Sequence, residues 1–317
     1  SFWKLNNNLS IIHQEKYLTY LPHSGFNNQR MELEYAIFLA WYLNRTLIIP
    51  HLLLFKGAAP ITSKSYDSMY KDLNVLITSG KLRKKKVTYT KWNWEELMDF
   101  TFVKQNIKYI HRQDFNFTQL IESLHINNNA EVYKIINSRQ QQYYDDPTST
   151  TELGYLQERV NLIDLKNRNE KLLHFGSLFA EVKIIAQLPE NQKFWSQLKH
   201  KMLINNLMII NIVNDIIDKI GGTDNFIGAH ARIGDSRFEI NKNQTVQKLI
   251  KSLQEDFKHI KEKNNSSCSP TKIFLATDVQ KNDTSIRPFF QTFPCIYVLS
   301  DFNDLLEPLK SLKNPMD

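Results

Sequence analysis

His230 and Arg232 stand two positions apart at the end of an apolar run, 226–232, that is typical of a buried strand. Residues spaced by two on a strand point to the same face of the sheet. An imidazole and a guanidinium on one face can bind a phosphate group, because arginine donates two parallel hydrogen bonds to it. An ion pair between Arg232 and Asp235 is the structural alternative. The pattern therefore indicates either an anion site or an ion pair.

Other polar residues also stand where predicted strands end. The turn 23–30, His-Ser-Gly-Phe-Asn-Asn-Gln-Arg, connects a predicted strand at 16–21 to a predicted helix over 28–43. The free N–H groups at the start of a helix favour an anion. Asp278 follows the apolar strand 272–277. Its carboxylate can accept hydrogen bonds from a base or a ribose, or it can cap the next helix.

The second half of the chain alternates strands and helices in a regular way. Strands are predicted at 226–232, 272–277 and 295–299, and helices at 245–263, 285–293 and 303–312. Such alternation predicts a parallel sheet with helices on its faces. Ligands of open α/β sheets bind beyond the carboxyl ends of the strands, which is where the polar clusters stand.

The first half begins with a strand–helix–strand unit that ends at the predicted strand 46–50. The middle third of the chain is predicted to hold amphipathic helical stretches at 94–102, 117–124 and 158–165, with a polar loop at 140–151. Two helices, at 191–200 and 203–220, are predicted before Gly221 and Gly222. We expect an α/β protein with two Rossmann-like domains, residues 1–200 and 201–317.

The composition and the absence of several motifs exclude some classes of function. The longest apolar stretch, residues 35–43, is half the length that a membrane helix needs, so no membrane contact is predicted. The net charge of +7 favours an anionic partner. No nucleic-acid-binding motif accompanies this charge, so no nucleic-acid partner is predicted. The nine histidines show no paired ligand spacing, and no metal site is predicted. Walker, Gly-x-Gly-x-x-Gly and Gly-x-Ser-x-Gly motifs are absent as well.

Glycosylation sequons favour the secretory pathway over the cytosol. The motif Asn-x-Ser/Thr begins at Asn8, Asn44, Asn116, Asn243, Asn264, Asn265 and Asn282. Asn44 has a second interpretation as the residue that ends a helix. The two cysteines, Cys268 and Cys295, could form one disulfide bond, and the sequence leaves this open.

Four segments together resemble the GDP-fucose protein O-fucosyltransferase family. They are the turn 25–30, the strand region 43–50, the element 230–235 and the strand end 274–278. The resemblance implies a GT-B architecture, in which two Rossmann-like domains face each other across a cleft. It also implies metal-independent, inverting transfer of fucose from GDP-fucose to a hydroxyl of a protein or glycan acceptor, in the lumen of the endoplasmic reticulum or Golgi. The donor would bind residues 201–317, with the acceptor side on residues 1–200.

The resemblance also implies roles for particular residues. Arg232 matches the arginine that holds the β-phosphate, His230 a histidine that contacts the nucleotide, and Asp278 an acidic residue near the guanosine. Further donor contacts are implied for Gly25, Phe26, Asn27, Asn28 and Ala231.

The general base is not fixed by the resemblance. Some members have a glutamate just before the Gly-Phe-Asn turn, where this chain has Ser24. His23, Glu32 and Glu34 are the candidates, and His23 could instead be a turn residue without a catalytic role.

The sequence stops at Asp317, where the family usually continues with another strand and a nucleotide-binding segment. We therefore expect an incomplete donor pocket in this chain. This leaves a second hypothesis open, a non-catalytic relative that binds a GDP-sugar or a glycan.

Overall fold

The computed structural model describes residues 15–22, 24–55, 66–82, 85–112, 115–135, 141–148, 158–179, 182–234, 236–263 and 272–311. The chain divides into two compact units, Ser1–Ile204 and Asn205–Asp317. Each unit contains a parallel sheet and helices, which confirms the predicted α/β class.

Twelve strands are described in the first unit. They are β1 (Tyr17–Thr19), β2 (Thr46–Pro50), β3 (Leu52–Phe55), β4 (Lys81–Leu82), β5 (Lys85–Lys86), β6 (Tyr89–Trp92), β7 (Tyr109–Arg112), β8 (Val132–Ile135), β9 (Gln141–Tyr144), β10 (Glu158–Asn161), β11 (Leu172–Phe175) and β12 (Val182–Ile185). Its α-helices are α1 (Phe26–Leu43), α2 (Tyr66–Ser79), α3 (Thr101–Asn106), α4 (Phe117–Ser123), α5 (Leu162–Lys166) and α6 (Pro189–Lys201). Two 3₁₀ turns are Trp94–Glu96 and Asn129–Glu131.

The main sheet of the first unit has five strands in the order β7-β2-β1-β11-β8, all parallel. All five residues of β2 are buried, as expected for a strand that is covered on both faces. The short β1 lies at the centre of the sheet although it comes first in the chain. A second parallel sheet has the order β10-β9-β12, and β3 pairs with β6 and β4 with β5 in antiparallel ribbons.

Three predictions for the middle third were wrong. The stretch 94–102, predicted as a helix, holds a 3₁₀ turn at Trp94–Glu96, and α3 begins only at Thr101. The polar stretch 140–151, predicted as a loop, contains β9, the central strand of the second sheet. Gln141 and Gln142 are buried there, on a strand that is paired on both sides. The stretch 158–165, predicted as one helix, is instead a strand, β10, followed by α5. Asn161 separates them, since its side chain accepts the N–H of Ile163 as an N-cap.

Helix α1 carries the apolar stretch of the first unit against the sheet and against α6. The Trp41 ring stacks on Phe194 of α6 with 4.0 Å between ring centroids. The helix ends at Asn44, which has a left-handed backbone (φ 52°) and donates its N–H to the carbonyl groups of Ala40 and Trp41. Asn44 therefore has a structural role as a helix C-cap, whether or not its sequon is used.

The second unit has three parallel strands in the order β13-β14-β15. They are β13 (Phe226–Ala231), β14 (Lys272–Thr277) and β15 (Ile296–Val298), accompanied by α7 (Leu207–Ile220), α8 (Ser236–Ile240), α9 (Lys242–Lys263), α10 (Arg287–Thr292) and α11 (Asn303–Leu306). Two 3₁₀ segments, Leu299–Phe302 and Glu307–Ser311, flank α11. Most predicted boundaries of this half differ from the observed ones by three residues or fewer, but α7, predicted from residue 203, begins at Leu207. The last helix, predicted over 303–312, becomes 3₁₀ after Leu306.

Among the described residues, no helix has both the length and the apolar character that crossing a membrane requires.

Glu95 is the centre of a polar cluster on the first unit. Its carboxylate accepts hydrogen bonds from the Tyr109 hydroxyl (2.8 Å), from the His111 Nε2 (2.9 Å) and from the Lys104 ammonium. Burial alone would raise the pKa of Glu95, but these hydrogen bonds lower it to about 2. The ionised carboxylate is therefore the form that this cluster stabilises.

We predict that Glu95 makes folding stability depend on pH in acid. A folded-state pKa below the unfolded value of 4.5 adds stability above pH 4.5, and this is lost as the pH falls toward 2. Urea unfolding between pH 3 and 7 should show that Glu95→Gln costs most near neutrality and progressively less in acid. Glu122→Gln, at an exposed position, is the control and should show no such trend. A cost for Glu95→Gln that does not change with pH would contradict the prediction.

Candidate functional site

The carboxyl end of β13 presents a histidine and an arginine on one exposed face. Ala229, Ala231 and Ile233 are buried in the core of the second unit. The residues between them, His230 and Arg232, are exposed. The structure therefore brings the two side chains of the predicted anion site to the same side of the sheet. Because the Ala231 methyl group faces the core, only the backbone of this predicted contact residue could meet a ligand.

The Arg232 guanidinium lies over an aromatic ring. Its Cζ is 4.7 Å from the ring centroid of Phe238, on the short helix α8. A cation at this distance is attracted by the face of the ring. This contact orients the side chain that is predicted to bind phosphate. Asp235, the alternative partner, lies outside the described residues.

Asp278 holds the loop that follows Arg232. Its Oδ1 accepts the backbone N–H groups of Ile233 (2.9 Å) and Gly234 (3.0 Å), and its Oδ2 lies 3.1 Å from the N of Gly234. A Cβ at Gly234 would come within 2.7 Å of a methyl carbon of Val279 and 3.3 Å of the carbonyl oxygen of Asp278, so the close approach needs glycine. Asp278 therefore joins the ends of β13 and β14. It does not cap α10, the structural alternative in the sequence.

A surface pocket lies at the carboxyl ends of β14 and β15. Its volume is about 690 Å³, a size typical of ligand sites. Its polar lining includes Thr277, Gln280, Asn282, Ser300 and Asn303. The position follows the rule for open parallel sheets, in which ligands bind beyond the carboxyl ends of the strands. Thr277 and Ser300 lie at the ends of the predicted strands 272–277 and 295–299, and the other polar lining residues were not predicted.

In the first unit, helix α1 follows the predicted turn. It begins at Phe26, two residues earlier than predicted. Ser24 has a left-handed backbone (φ 69°), and Gly25 is the N-cap. The Asn28 amide donates to the Ser24 Oγ (2.7 Å), while Asn27 is exposed. Of the two predicted asparagine contacts, Asn27 is therefore the one that faces solvent.

Gln29 fixes this turn, and the sequence analysis did not single it out. Its Nε2 donates to the carbonyl oxygens of Ser24 (2.8 Å) and Leu53 (2.7 Å), and its Oε1 accepts the N–H of Leu53 (2.9 Å). Gln29 is buried, so it replaces water as the partner of three backbone groups. No signal in the sequence separates Gln29 from Asn27 and Asn28, the other two amides in the first turn of this helix.

The carboxylates predicted as general bases are in packed surroundings. Glu32 is 0% exposed and accepts a hydrogen bond from the Ser177 hydroxyl (2.6 Å). Glu34 is 8% exposed and forms an ion pair with Arg30 (3.0 Å). Both carboxylates therefore have structural partners. His23 lies outside the described residues.

No group of three or more His, Cys, Asp or Glu side chains within the described ranges is arranged to hold a metal ion. Cys295 is a half-buried free thiol, and Cys268 is outside those ranges.

A protein-family model matches most of the chain. The model of the family described as GDP-fucose protein O-fucosyltransferase matches residues 17–316. The protein O-fucosyltransferase 30 of Arabidopsis thaliana is 56% identical over 39 residues, which are 12% of this chain and 8% of that protein. This second match therefore covers a small part of both sequences.

Solved structures are similar over most of this chain at low sequence identity. A crystal structure of POFUT1 in complex with GDP covers 92% of this chain and 88% of its own, with 11% identity and a TM-score of 0.47. The fucosyltransferase NodZ from Bradyrhizobium covers 93% and 82%, with 14% identity and a TM-score of 0.41.

We predict that Gln29→Met lowers the free energy of unfolding by about 2–4 kcal/mol. The variant keeps the length of the side chain but leaves buried backbone groups of Ser24 and Leu53 without partners, and each such group costs about 1–3 kcal/mol. Urea unfolding measures the loss, with Gln119→Met, at an exposed position of α4, as the matched control. A loss of equal size in both variants would show that the three hydrogen bonds do not matter.

Proposed function

The chain belongs to the GDP-fucose protein O-fucosyltransferase family, and from this membership we propose that it transfers fucose from GDP-fucose to a hydroxyl group of a protein or glycan acceptor. The membership confirms the resemblance of the sequence and the class of enzyme that it implied. The acceptor side of the reaction is assigned by this proposal to the first unit and the donor side to the second. The proposed architecture is of the GT-B type, with one Rossmann-like domain in each unit.

The exposed pair His230 and Arg232 is the observation that carries the donor assignment. Both side chains stand at the carboxyl end of β13, in the same unit as the pocket at the ends of β14 and β15. We assign Arg232 to the β-phosphate and His230 to the nucleotide. Asp278 is assigned to positioning, because its carboxylate is occupied by the loop that follows Arg232.

Arg232 would act on the leaving group. When the bond between fucose and the β-phosphate breaks, negative charge develops on GDP, and a guanidinium fixed at that point stabilises it. In the proposed reaction this charge is met by Arg232 and backbone N–H groups without a metal ion. The acceptor oxygen attacks from the opposite face of the sugar, so the configuration at the anomeric carbon inverts.

The general base stays open among the three candidates. Glu32 and Glu34 already have partners in Ser177 and Arg30. Either carboxylate would have to exchange that partner for the acceptor hydroxyl, and His23 would not be limited in this way. A positioned base contributes about 10²–10⁴ to a rate, so its identity affects speed more than the class of reaction.

We also propose that the protein works in the lumen of the secretory pathway. The donor chemistry and the Asn-x-Ser/Thr sequons of the sequence support this location.

We predict that Arg232→Ala removes most of the affinity for GDP and GDP-fucose. Isothermal titration of the wild-type chain, first with EDTA and then with Mg²⁺, should give the same affinity in both buffers. Release of GDP from GDP-fucose should fall by about 10²–10³ in the variant, the usual cost of one such electrostatic donor.

Arg287→Ala is the matched control, since Arg287 is an exposed arginine of the same unit. It should bind and turn over like the wild type. Binding of GDP-fucose without any release of GDP, even with candidate acceptors, would favour the non-catalytic relative. Equal binding by Arg232→Ala and the wild type, or binding only with metal, would contradict the proposed site.

A further inference from the structure

A group of charged and aromatic side chains covers one face of the main sheet of the first unit. Pairing in register runs from Arg112 on β7, through β2 and β1, to His174 on β11 and Lys134 on β8. Residues in register in a parallel sheet, and residues two apart on a strand, share a face. Arg112, His174 and Lys134 therefore lie on the same face, with the two cationic residues on opposite edge strands.

Aromatic rings of α2 and α4 join these side chains into one cluster. The ring of Tyr66 lies 5.1 Å from that of His174, and the ring of Tyr70 lies 5.7 Å from it. The Cζ of Arg112 is 5.7 Å from the Tyr70 ring, and the Nζ of Lys134 is 5.6 Å from the Tyr66 ring. The cluster therefore extends from the exposed Lys134 to the buried Arg112.

Several polar atoms of this cluster are buried and have no hydrogen-bond partner among the residues that the structure describes. They are the Nε and Nη1 of Arg112, the hydroxyl of Tyr66 and the Nε2 of His174. Arg112 is 6% exposed, Tyr66 3% and His174 0%. The Nη2 of Arg112 does donate to the Tyr70 hydroxyl, at 2.5 Å. Native structures rarely leave such groups unpaired, and an unseen ion or water is the usual reason.

The charge of the cluster is not balanced. Within the described part of the chain, no carboxylate forms an ion pair with Arg112 or Lys134. A buried cation without an anionic partner costs several kcal/mol, and a guanidinium cannot lose its proton to avoid this cost. A bound anion would supply the missing charge and accept the N–H groups of Arg112.

His174 adds an acceptor to this set of donors. Burial, and then the charge of Arg112, lower the pKa of His174 to about 3, so the ring is neutral. Its Nδ1 lies 3.0 Å from the carbonyl oxygen of Phe175, which places the proton on Nδ1 and leaves Nε2 as an acceptor. A ligand that carries both a negative oxygen and a hydroxyl would satisfy Arg112 and His174 together.

We propose that Arg112, Tyr66 and His174 form a binding site for a small oxyanion that also carries a hydroxyl, of which hydrogen phosphate is the simplest. The site lies within the first unit, and its test needs no turnover. It is therefore independent of the fucosyltransferase proposal, and either can fail without the other.

Titration calorimetry of the whole chain with inorganic phosphate at pH 7 tests the site. We expect the wild type to bind phosphate and Arg112→Met to bind about 10- to 100-fold more weakly, the range for hydrogen bonds to a charged group. Tyr66→Phe keeps the ring and should weaken binding about fivefold, as expected for one neutral hydrogen bond. Tyr66→Phe also tests the phosphate site if Arg112→Met fails to fold. Lys183→Met, which changes an exposed cation of the same unit, should bind like the wild type.

A second titration uses sulfate in place of phosphate. Sulfate has no proton to donate to the Nε2 of His174 at pH 7, so we expect it to bind more weakly than phosphate. Binding of sulfate as tightly as phosphate would support the anion site on Arg112 but overturn the role of His174.

Thermal unfolding distinguishes an anion site from a merely structural arginine. The melting temperature of the wild type should rise with phosphate beyond the general salt effect that Arg112→Met shows. Without phosphate, Arg112→Met should melt no lower than the wild type, because it removes an uncompensated charge. No heat and no specific rise in melting temperature for the wild type would mean that water fills the site, and would overturn the proposal.

Discussion

The position of Arg232 depends on the hydrogen bonds that the Asp278 carboxylate accepts from the loop after β13. Arg232 comes after the last residue of the strand, so the backbone ladder no longer holds it. The loop is held instead by an acceptor at the end of the neighbouring strand. Gln29 performs the same function in the first unit, where it joins the start of α1 to β3. In both units, one polar side chain, the exposed Asp278 or the buried Gln29, connects a loop to the adjacent element, and this element thereby determines where the loop can present its side chains.

The parts of the fold that could be predicted are those encoded locally. The strands Thr46–Pro50 and Lys272–Thr277 have the predicted boundaries because each is an apolar run between polar residues. Strand β9 was missed for the opposite reason. Its glutamines are polar, and β9 is the central strand of a sheet because β10 and β12 pair with it on both sides. Such pairing joins segments far apart in sequence, so a local pattern does not contain it.

In the candidate site, too, some features are encoded locally and others are not. The two-residue spacing of His230 and Arg232 was enough to predict a shared face. The use of Asp278 was not predictable, because a carboxylate after a strand can bind a ligand, cap a helix or hold a loop equally well. The burial of Glu32 could have been predicted, since it lies three residues after Gln29 and four before Ala36, on the helix stripe that faces the core.

The strand order of the first unit also constrains the order in which the protein can fold during its synthesis. Among the described strands, β8 lies at the edge of the main sheet and pairs with β11, which is made about 40 residues later. Until β11 leaves the ribosome, β1 has one open side and β8 has no neighbour in the sheet. A nascent chain that ends before Leu172 therefore exposes unpaired strand edges, which are a common route to aggregation. The first unit is thus a candidate for chaperone binding while it is being made.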